Sequence, residues 1–498
     1  MSTLLGWVIG SRILVYPVGH CYNSLLLDME KLSFFLTTQG HNVTMIINNE
    51  YNGTKSDIDM SLVSNVQFPA PTGTPTMCDM EKLLARAEAS MYDIVDIWMS
   101  STLSYCDALL SSNILPKLKA ENYNLLIFDQ TDWCSAIIAD YLKIPFIRFA
   151  SVNTAFTADE LWRYMHVPAI FVPYGYHMTT VERAINSLAH LGAYFSRNIV
   201  LRPMQQLKTD YKISPSTHLT DVYDRSAAIF LNSDPLVDYP RPTFSHEISV
   251  GFLFAGISSK NVPQKFTDFI GDNNDIVLVC FGTQVSHGWD DAFDKTILSL
   301  PYKVIWRNGA ASNLTNESSN ILIQNWIPQP ALLASGRVRL LITHGGVAST
   351  MEAIYNGVPM IIIPMQAEQV AQATKISNHL KVARTFDITK MKDQSLSEMI
   401  HSMMGETEER IKIRKLSFQA RNQIDSTKDT ILRWINTVTS DWYEAPNYSQ
   451  DVYRWFGVDI LLSSVLSLFI IFVFLIHISL RINRYILTRL KFFLFIQN

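Results

Sequence analysis

The chain has 498 residues, room for two or three domains that each bury a core of their own. Charged residues make up 17%, below the usual share of about a quarter, hydrophobic residues 48%, and the formal net charge is −4. This balance gives no hint of nucleic acid and fits large cores plus a membrane segment. The five cysteines (Cys21, Cys78, Cys106, Cys134 and Cys280) show neither C-x-x-C nor metal-ligand spacing. Buried apolar thiols are therefore expected, rather than a disulfide framework or a metal site.

Leu4 to Ile9 is apolar, but it is short and follows no basic residue. A secretory leader ordinarily has about 7–15 apolar residues behind a positive stretch. Either the leader is incomplete in this sequence or targeting rests on the C-terminal span. Ile13 to Tyr16 reads as the first strand, Leu25 to Leu36 as a helix ending near Gly40, and Val43 to Ile47 as the next strand. Such a βαβ unit implies a parallel sheet. It carries no G-x-G-x-x-G, and G-x-x-x-x-G-K-[ST] occurs nowhere, which removes nicotinamide dehydrogenases and P-loop nucleotidases. His20 falls at the carboxyl end of the first strand, where open α/β sheets place ligands.

Leu125 to Phe128 is a further strand, ending in Asp129. A helix follows from Cys134 to Leu142, and then a strand from Pro145 to Ile147. Asp129 thus shares a sheet edge with His20; Asp132, three residues on, is the competing carboxylate, its other reading being the start of the helix. Phe156 to about Ile213 is rich in aromatics, methionine and proline, with irregular helical patterning. Ala228 to Asn232 closes the first half. Residues 233 to 264, with prolines at 235, 240, 242 and 263, read as an inter-domain linker.

Strands of the second half are expected at Ile276–Cys280, Lys303–Trp306, Ile321–Gln324, Val338–Thr343 and Met360–Ile363. Thr283, just past the first of these, offers a hydroxyl and a backbone N–H to a phosphate. Ala348 to Tyr355 reads as a helix stopped by Asn356-Gly357 and Pro359. His344 therefore stands where a strand ends and a helix begins, a place that attracts phosphate, and Gly345 and Gly346 permit close approach of a ligand. Ser349 and Glu352 have the spacing of a capping box. Glu368 and Gln369 follow a buried strand, where a carboxylate and an amide can hold sugar hydroxyls. Met391 to Thr439 is helical and charged.

Ile460 to Leu480 is a stretch of 21 residues free of Asp, Glu, Lys and Arg, close to the roughly 20 that a bilayer span requires. Arg481, Arg484, Arg489 and Lys491 follow it, while Asp451 and Asp459 precede it. The positive-inside bias puts the tail in the cytosol and the bulk of the chain in the lumen. Sequons at Asn42, Asn52, Asn313, Asn316 and Asn447 fall on the proposed luminal side.

W-I-P-Q (326–329), T-H-G-G (343–346), the Ser349/Glu352 pair, G-V-P (357–359) and E-Q (368–369) together resemble the donor-binding signature of the UDP-glycosyltransferases. The likeness is greatest to animal, nematode-type UDP-glucuronosyltransferases and runs from about Ile13 to the C-terminus. I-V-L-V-C-F-G-T (276–283), K-V-I-W-R (303–307) and D-Y-P-R-P (238–242) support it. It implies an α/β fold of two Rossmann-like domains facing across a cleft (GT-B), plus one C-terminal transmembrane helix in the endoplasmic-reticulum membrane. The expected division is an acceptor-binding domain over 1–232, a linker over 233–272, a UDP-sugar-binding domain over 273–440 and a juxtamembrane segment over 441–459. The membrane helix over 460–480 and a basic tail over 481–498 complete it.

The implied reaction moves glucuronic acid from UDP-glucuronate, a co-substrate rather than a cofactor, to hydroxyl groups of small lipophilic acceptors with inversion. The resemblance makes His20 the general base and Asp129 the carboxylate that orients it. It gives Trp326 the uracil face, Gln329 the nucleoside, His344 and Ser349 the phosphates, and Glu352 the ribose hydroxyls. Neither metal nor nucleic acid is implied, and homo- or hetero-oligomerisation is left open. UDP-glucose is the alternative donor, and a non-catalytic luminal partner of active relatives is the reading from another class. The chain departs from the family in three places. V-G-F-L-F-A-G-I (250–257) stands where V-G-G-I is usual, so a local bulge is expected. Ala348 replaces an Asn that ordinarily helps hold the phosphates, and Glu368 stands where Asp is usual.

Overall fold

The computed structural model describes residues 10–18, 23–51, 58–73, 91–151, 158–169, 172–257, 261–282, 291–308, 319–365, 367–390, 396–440, 443–444 and 464–478. Two parallel sheets organise the part up to Pro446. The first comprises β1 (Arg12–Tyr16), β2 (Asn42–Asn48), β3 (Ser64–Phe68), β4 (Leu125–Asp129), β5 (Phe146–Ala150), β6 (Ala228–Leu231) and β7 (Glu247–Ser249). Its spatial order is β3-β2-β1-β4-β5-β6-β7. The second comprises β8 (Ile276–Cys280), β9 (Lys303–Arg307), β10 (Ile321–Gln324), β11 (Val338–Thr343), β12 (Met360–Ile362) and β13 (Ala383–Thr385), ordered β10-β9-β8-β11-β12-β13. Both are doubly wound: each starts at a central strand, runs to one edge, then returns to build the other side.

Apolar side chains cover both faces of each sheet, so the central strands β1, β4, β8 and β11 read as near-continuous hydrophobic runs. The first crossover helix, Asn23–Thr38, lays Met29, Leu32, Phe35 and Leu36 on one face of the first sheet. A longer helix, Thr180–Asp210, starts with a capping box between Thr179 and Glu182, and Pro203 lies inside it.

The segment expected as irregular linker is more ordered than its prolines suggest. It supplies β7 and a buried helix, Gly251–Ile257. The expected bulge at 250–257 is this helix, and it wedges between the two cores. Leu253 and Phe254 join the core under the first sheet, with Phe254 edge-on to Phe149, whereas Phe252 joins the core of the second. The last helix of this part, Glu408–Val438, also serves both. Ile413 and Ala420 pack in the second core, and Ile431, Ile435 and Val438 in the first.

Cys106 and Cys134 correct the expectation of apolar thiols. They form a disulfide with a Cα–Cα distance of 5.4 Å, joining the helix Met91–Ser111 to the helix Cys134–Leu142. Cys280 is a buried free thiol, while Cys21 and Cys78 lie outside the described residues. The leader segment 1–9 and four of the sequons also lie outside; Asn42 is the exposed first residue of β2. Residues 464–478 form a helix with exposed apolar side chains. Among the described residues no helix is long and apolar enough to cross a membrane.

Gly256 marks the tightest point of the wedge. A Cβ there would overlap Ile424 Cδ1 on the last long helix and come 3.3 Å from the Tyr355 hydroxyl. Gly256→Ala should cost roughly 1–3 kcal/mol by overpacking. Adding Ile424→Val removes the overlapping methyl and should recover most of that loss in urea melts. Equal midpoints for wild type and Gly256→Ala would show that the contact is loose.

Candidate active site

In each sheet the strand order reverses between two central strands, β1 and β4 in the first and β8 and β11 in the second. Ligands of open α/β sheets gather at the carboxyl ends of such a pair. β1 leads toward His20, which lies outside the described residues, as does Thr283 after β8. Tyr16 pairs in register with Phe128, so the chain leaves β1 beside Asp129, the last residue of β4.

Asp129 is fully buried. Its Oδ1 accepts the Thr131 backbone N–H at 2.8 Å and the Thr131 hydroxyl at 2.6 Å. Among the described residues its Oδ2 has no hydrogen-bond partner. Burial lifts the carboxyl from its ordinary 3.8 to about 6, against the pull of the Thr131 bonds. Asp132 differs. Its Oδ1 accepts the Cys134 N–H at 2.9 Å at the start of the following helix, and its Oδ2 accepts the Tyr16 hydroxyl at 3.2 Å from the end of β1, so both oxygens have partners. Of the two aspartates, only Asp129 keeps an oxygen unspent.

At the second reversal, Thr343 pairs with Cys280, which sets His344 beside Phe281-Gly282. The imidazole lies between two glycines. A Cβ on Gly282 would come 2.6 Å from Cε1, and one on Gly346 2.7 Å from Nε2. Gly282 and Gly345 have φ of +72° and +90°, conformations glycine adopts without strain. Burial lowers the His344 pKa to about 4, with the Arg307 charge adding to the effect, so the ring is neutral at pH 7. A neutral imidazole retains one N–H to donate. Trp326 is half-buried in the loop after β10, and the Arg307 guanidinium sits 5.7 Å from its ring centroid.

The helix after β11, Val347–Asn356, begins at Gly346 and ends at Gly357 in a left-handed cap, the stop expected from Asn356-Gly357. The S-x-x-E spacing is not used as a capping box, because the cap is Gly346 and Ser349 already lies inside the first turn. Ser349 and Glu352 instead share one partner. Gln329 Nε2 donates to Ser349 Oγ at 3.1 Å and to Glu352 Oε2 at 2.8 Å, while Gln329 Oε1 is buried without a partner among the described residues. Gln369 is buried and accepts the Met365 N–H at 2.8 Å, whereas Glu368 beside it is exposed.

Sequence patterning missed two groups that belong to this neighbourhood. Lys31, on the helix Asn23–Thr38, lies 3.4 Å from Glu352 Oε1. Asp28, one turn earlier, accepts from Asn232 Nδ2 at 2.9 Å. Burial raises Asp28 to about 7; Lys31 opposes the rise, and the charges of Glu352 and Asp129 add to it. The visible signal was an acid and a base three residues apart on the apolar face of a helix, where charges seldom sit without a partner.

Two parallel α/β sheets of this winding, with their carboxyl edges carrying these groups, define the GT-B class of glycosyltransferases. Arabidopsis thaliana UGT89C1, a structure solved with UDP, matches 85% of this chain and 99% of its own with a TM-score of 0.57 at 16% identity. The family model for UDP-glucoronosyl and UDP-glucosyl transferase covers residues 11–444, and the chain belongs to that family. UDP-glucuronosyltransferase 3A1 of Xenopus laevis is 27% identical over 375 residues, 70% of this chain and 70% of the relative. UDP-glucuronosyltransferase 1A8 of Homo sapiens is 24% identical over 462 residues, 87% of this chain and 83% of the relative.

The raised Asp129 carboxyl carries a stability signature. The folded state holds this proton more tightly than the unfolded one, so the charge lowers stability as pH rises from about 4 through about 6. Asp129→Asn keeps an acceptor for Thr131 and removes the charge. At pH 7 it should melt no earlier than wild type and up to a few degrees later, with the gap closing near about pH 4. A lower Tm at pH 7 would mean that Oδ2 has a native partner.

Proposed function

We propose that this chain moves glucuronic acid from UDP-glucuronate to hydroxyl groups of small lipophilic acceptors, inverting the anomeric carbon. The observation that carries the reading is the buried Asp129, whose unspent Oδ2 lies at the strand pair leading to His20. His20 takes the proton of the acceptor hydroxyl as its oxygen attacks the anomeric carbon. Asp129 holds the imidazole in the reactive tautomer and stabilises the imidazolium that forms. The bond from the sugar to UDP breaks, and its electron pair leaves with the diphosphate. The free N–H groups opening the helix Val347–Asn356 and the neutral His344 receive that charge. Trp326 stacks on the uracil, Gln329 binds the nucleoside through its unpartnered carbonyl, Glu352 accepts the ribose hydroxyls, and Glu368 and Gln369 hold the sugar. Thr283 adds a hydroxyl at the phosphates.

The similarity to UDP-glucuronosyltransferases supports glucuronate, while the family description, which includes glucosyl transfer, keeps UDP-glucose as the second donor to test. We also propose that residues 460–480 span the endoplasmic-reticulum membrane once, with the bulk luminal and the basic tail cytosolic. Membranes carrying the protein, given labelled UDP-glucuronate or UDP-glucose and a panel of phenols, should form the glucuronide. Label transfer from UDP-glucose alone would reassign the donor.

His20→Ala should lose several orders of magnitude in turnover while UDP affinity stays within a few-fold, because base and donor pocket belong to different sheets. Full turnover in that variant would move the chemistry elsewhere. At the donor helix, Ala348 supplies no side-chain donor, and one charge-assisted hydrogen bond is worth roughly 1.5–3 kcal/mol. Ala348→Asn should therefore lower the KM for UDP-sugar about tenfold or more. An unchanged KM would show the phosphates already saturated by Ser349 and the backbone. UDP binding by neither form in calorimetry would favour a non-catalytic partner of active relatives.

A further inference from the structure

Glu352 is 5% exposed and Lys31 2%, and the two come from different halves of the fold. The carboxylate sits on the helix of the donor site, and the ammonium on the first crossover helix, which begins three residues past His20. One Glu352 oxygen, Oε2, is spoken for by Gln329 at 2.8 Å; the other, Oε1, faces Lys31 Nζ at 3.4 Å. A carboxylate buried this deeply is costly unless a cation and hydrogen bonds accompany it. Among the described residues, Lys31 is the cation that forms a salt bridge with it.

Lys31 also answers to its own half. Asp28 lies one turn away on the same helix, with its Oδ2 fixed by Asn232 at the end of β6. The ammonium contacts Glu352 of one half and its charge acts on Asp28 of the other, so the geometry of Glu352 depends on how the halves meet.

We propose that Lys31 is a positioning residue of the donor site, holding the Glu352 carboxylate in place to accept the vicinal hydroxyls of a nucleoside. This rests on the UDP-sugar reading above. The acceptor-side half thereby completes a donor pocket otherwise built from the second sheet. The effect belongs to binding shared by ground state and transition state, so it falls on KM rather than kcat.

The test uses the full-length protein in membranes, with UDP-sugar kinetics for turnover and UDP calorimetry for binding. Lys31→Met should raise the donor KM and the Kd for UDP tenfold or more, and Lys31→Arg should bring both back to within about threefold of wild type. In a Glu352→Gln background the same Lys31→Met change should add less than twofold, since the residue it positions is already altered. If Lys31→Met does not fold, Lys31→Gln replaces it, with Tm measured beside Kd. Unchanged UDP binding in the Met or Gln variant, or an equal loss with and without Glu352, overturns the proposal and leaves the function standing. Failure of wild type to bind UDP overturns both.

Discussion

A parallel sheet covered on both faces leaves no polar surface along its strands. Each crossover must return over one face, and that covering removes water from every position except the two edges where strands begin and end. Chemistry is thereby confined to a line of strand ends. Asp129 at the end of β4 and His344 after β11 stand on such lines, and neither sheet offers another place near its centre. The glycines flanking His344 follow from the same confinement. Strand ends a few ångströms apart leave room for one imidazole only if the neighbouring residues carry no Cβ.

The same covering sets the electrostatics. Burial raises Asp28 and Asp129 and lowers His344, opposite directions with one cause, since each shift favours the neutral form. The neighbourhood therefore holds raised carboxyls in the first half, on the helix Asn23–Thr38 and at the end of β4, and an uncharged imidazole after β11. Lys31 lies against Glu352, and Arg307 sits by the Trp326 ring and adds its charge near the imidazole. The result is a crease in which charge is scarce and each charged group has assigned neighbours.

How much of this could be read from the residues depended on burial. β8, β10 and β11 were legible to the residue, because I-V-L-V-C, I-L-I-Q and V-R-L-L-I-T are apolar runs bounded by turn formers. β3, with the sequence S-N-V-Q-F, is a mostly exposed strand, and β7 and β13 are three residues long at sheet edges, too short to set a period. The helix Gly251–Ile257 hid because seven residues that include two glycines resemble a loop insertion until both cores close on it. The Cys106–Cys134 pairing is a long-range contact that spacing does not encode. The strand ends that carry Asp129 and His344 were legible from position. Lys31 was not, because its partner lies 321 residues away.

The helix Glu408–Val438 leaves the second core and ends on the first, so the polypeptide closes on itself: its last turns pack against the sheet that its first strand began. The first half is thus a discontinuous body, built from the start of the chain and a final segment returned from far downstream. A graft of the donor half between relatives has to cut the chain twice, once ahead of β8 and again within this helix near Ile424. A single junction would leave Ile431, Ile435 and Val438 of one lineage seated on the sheet of another, and chimeras made that way inherit a mismatched core far from the residues they were designed to exchange.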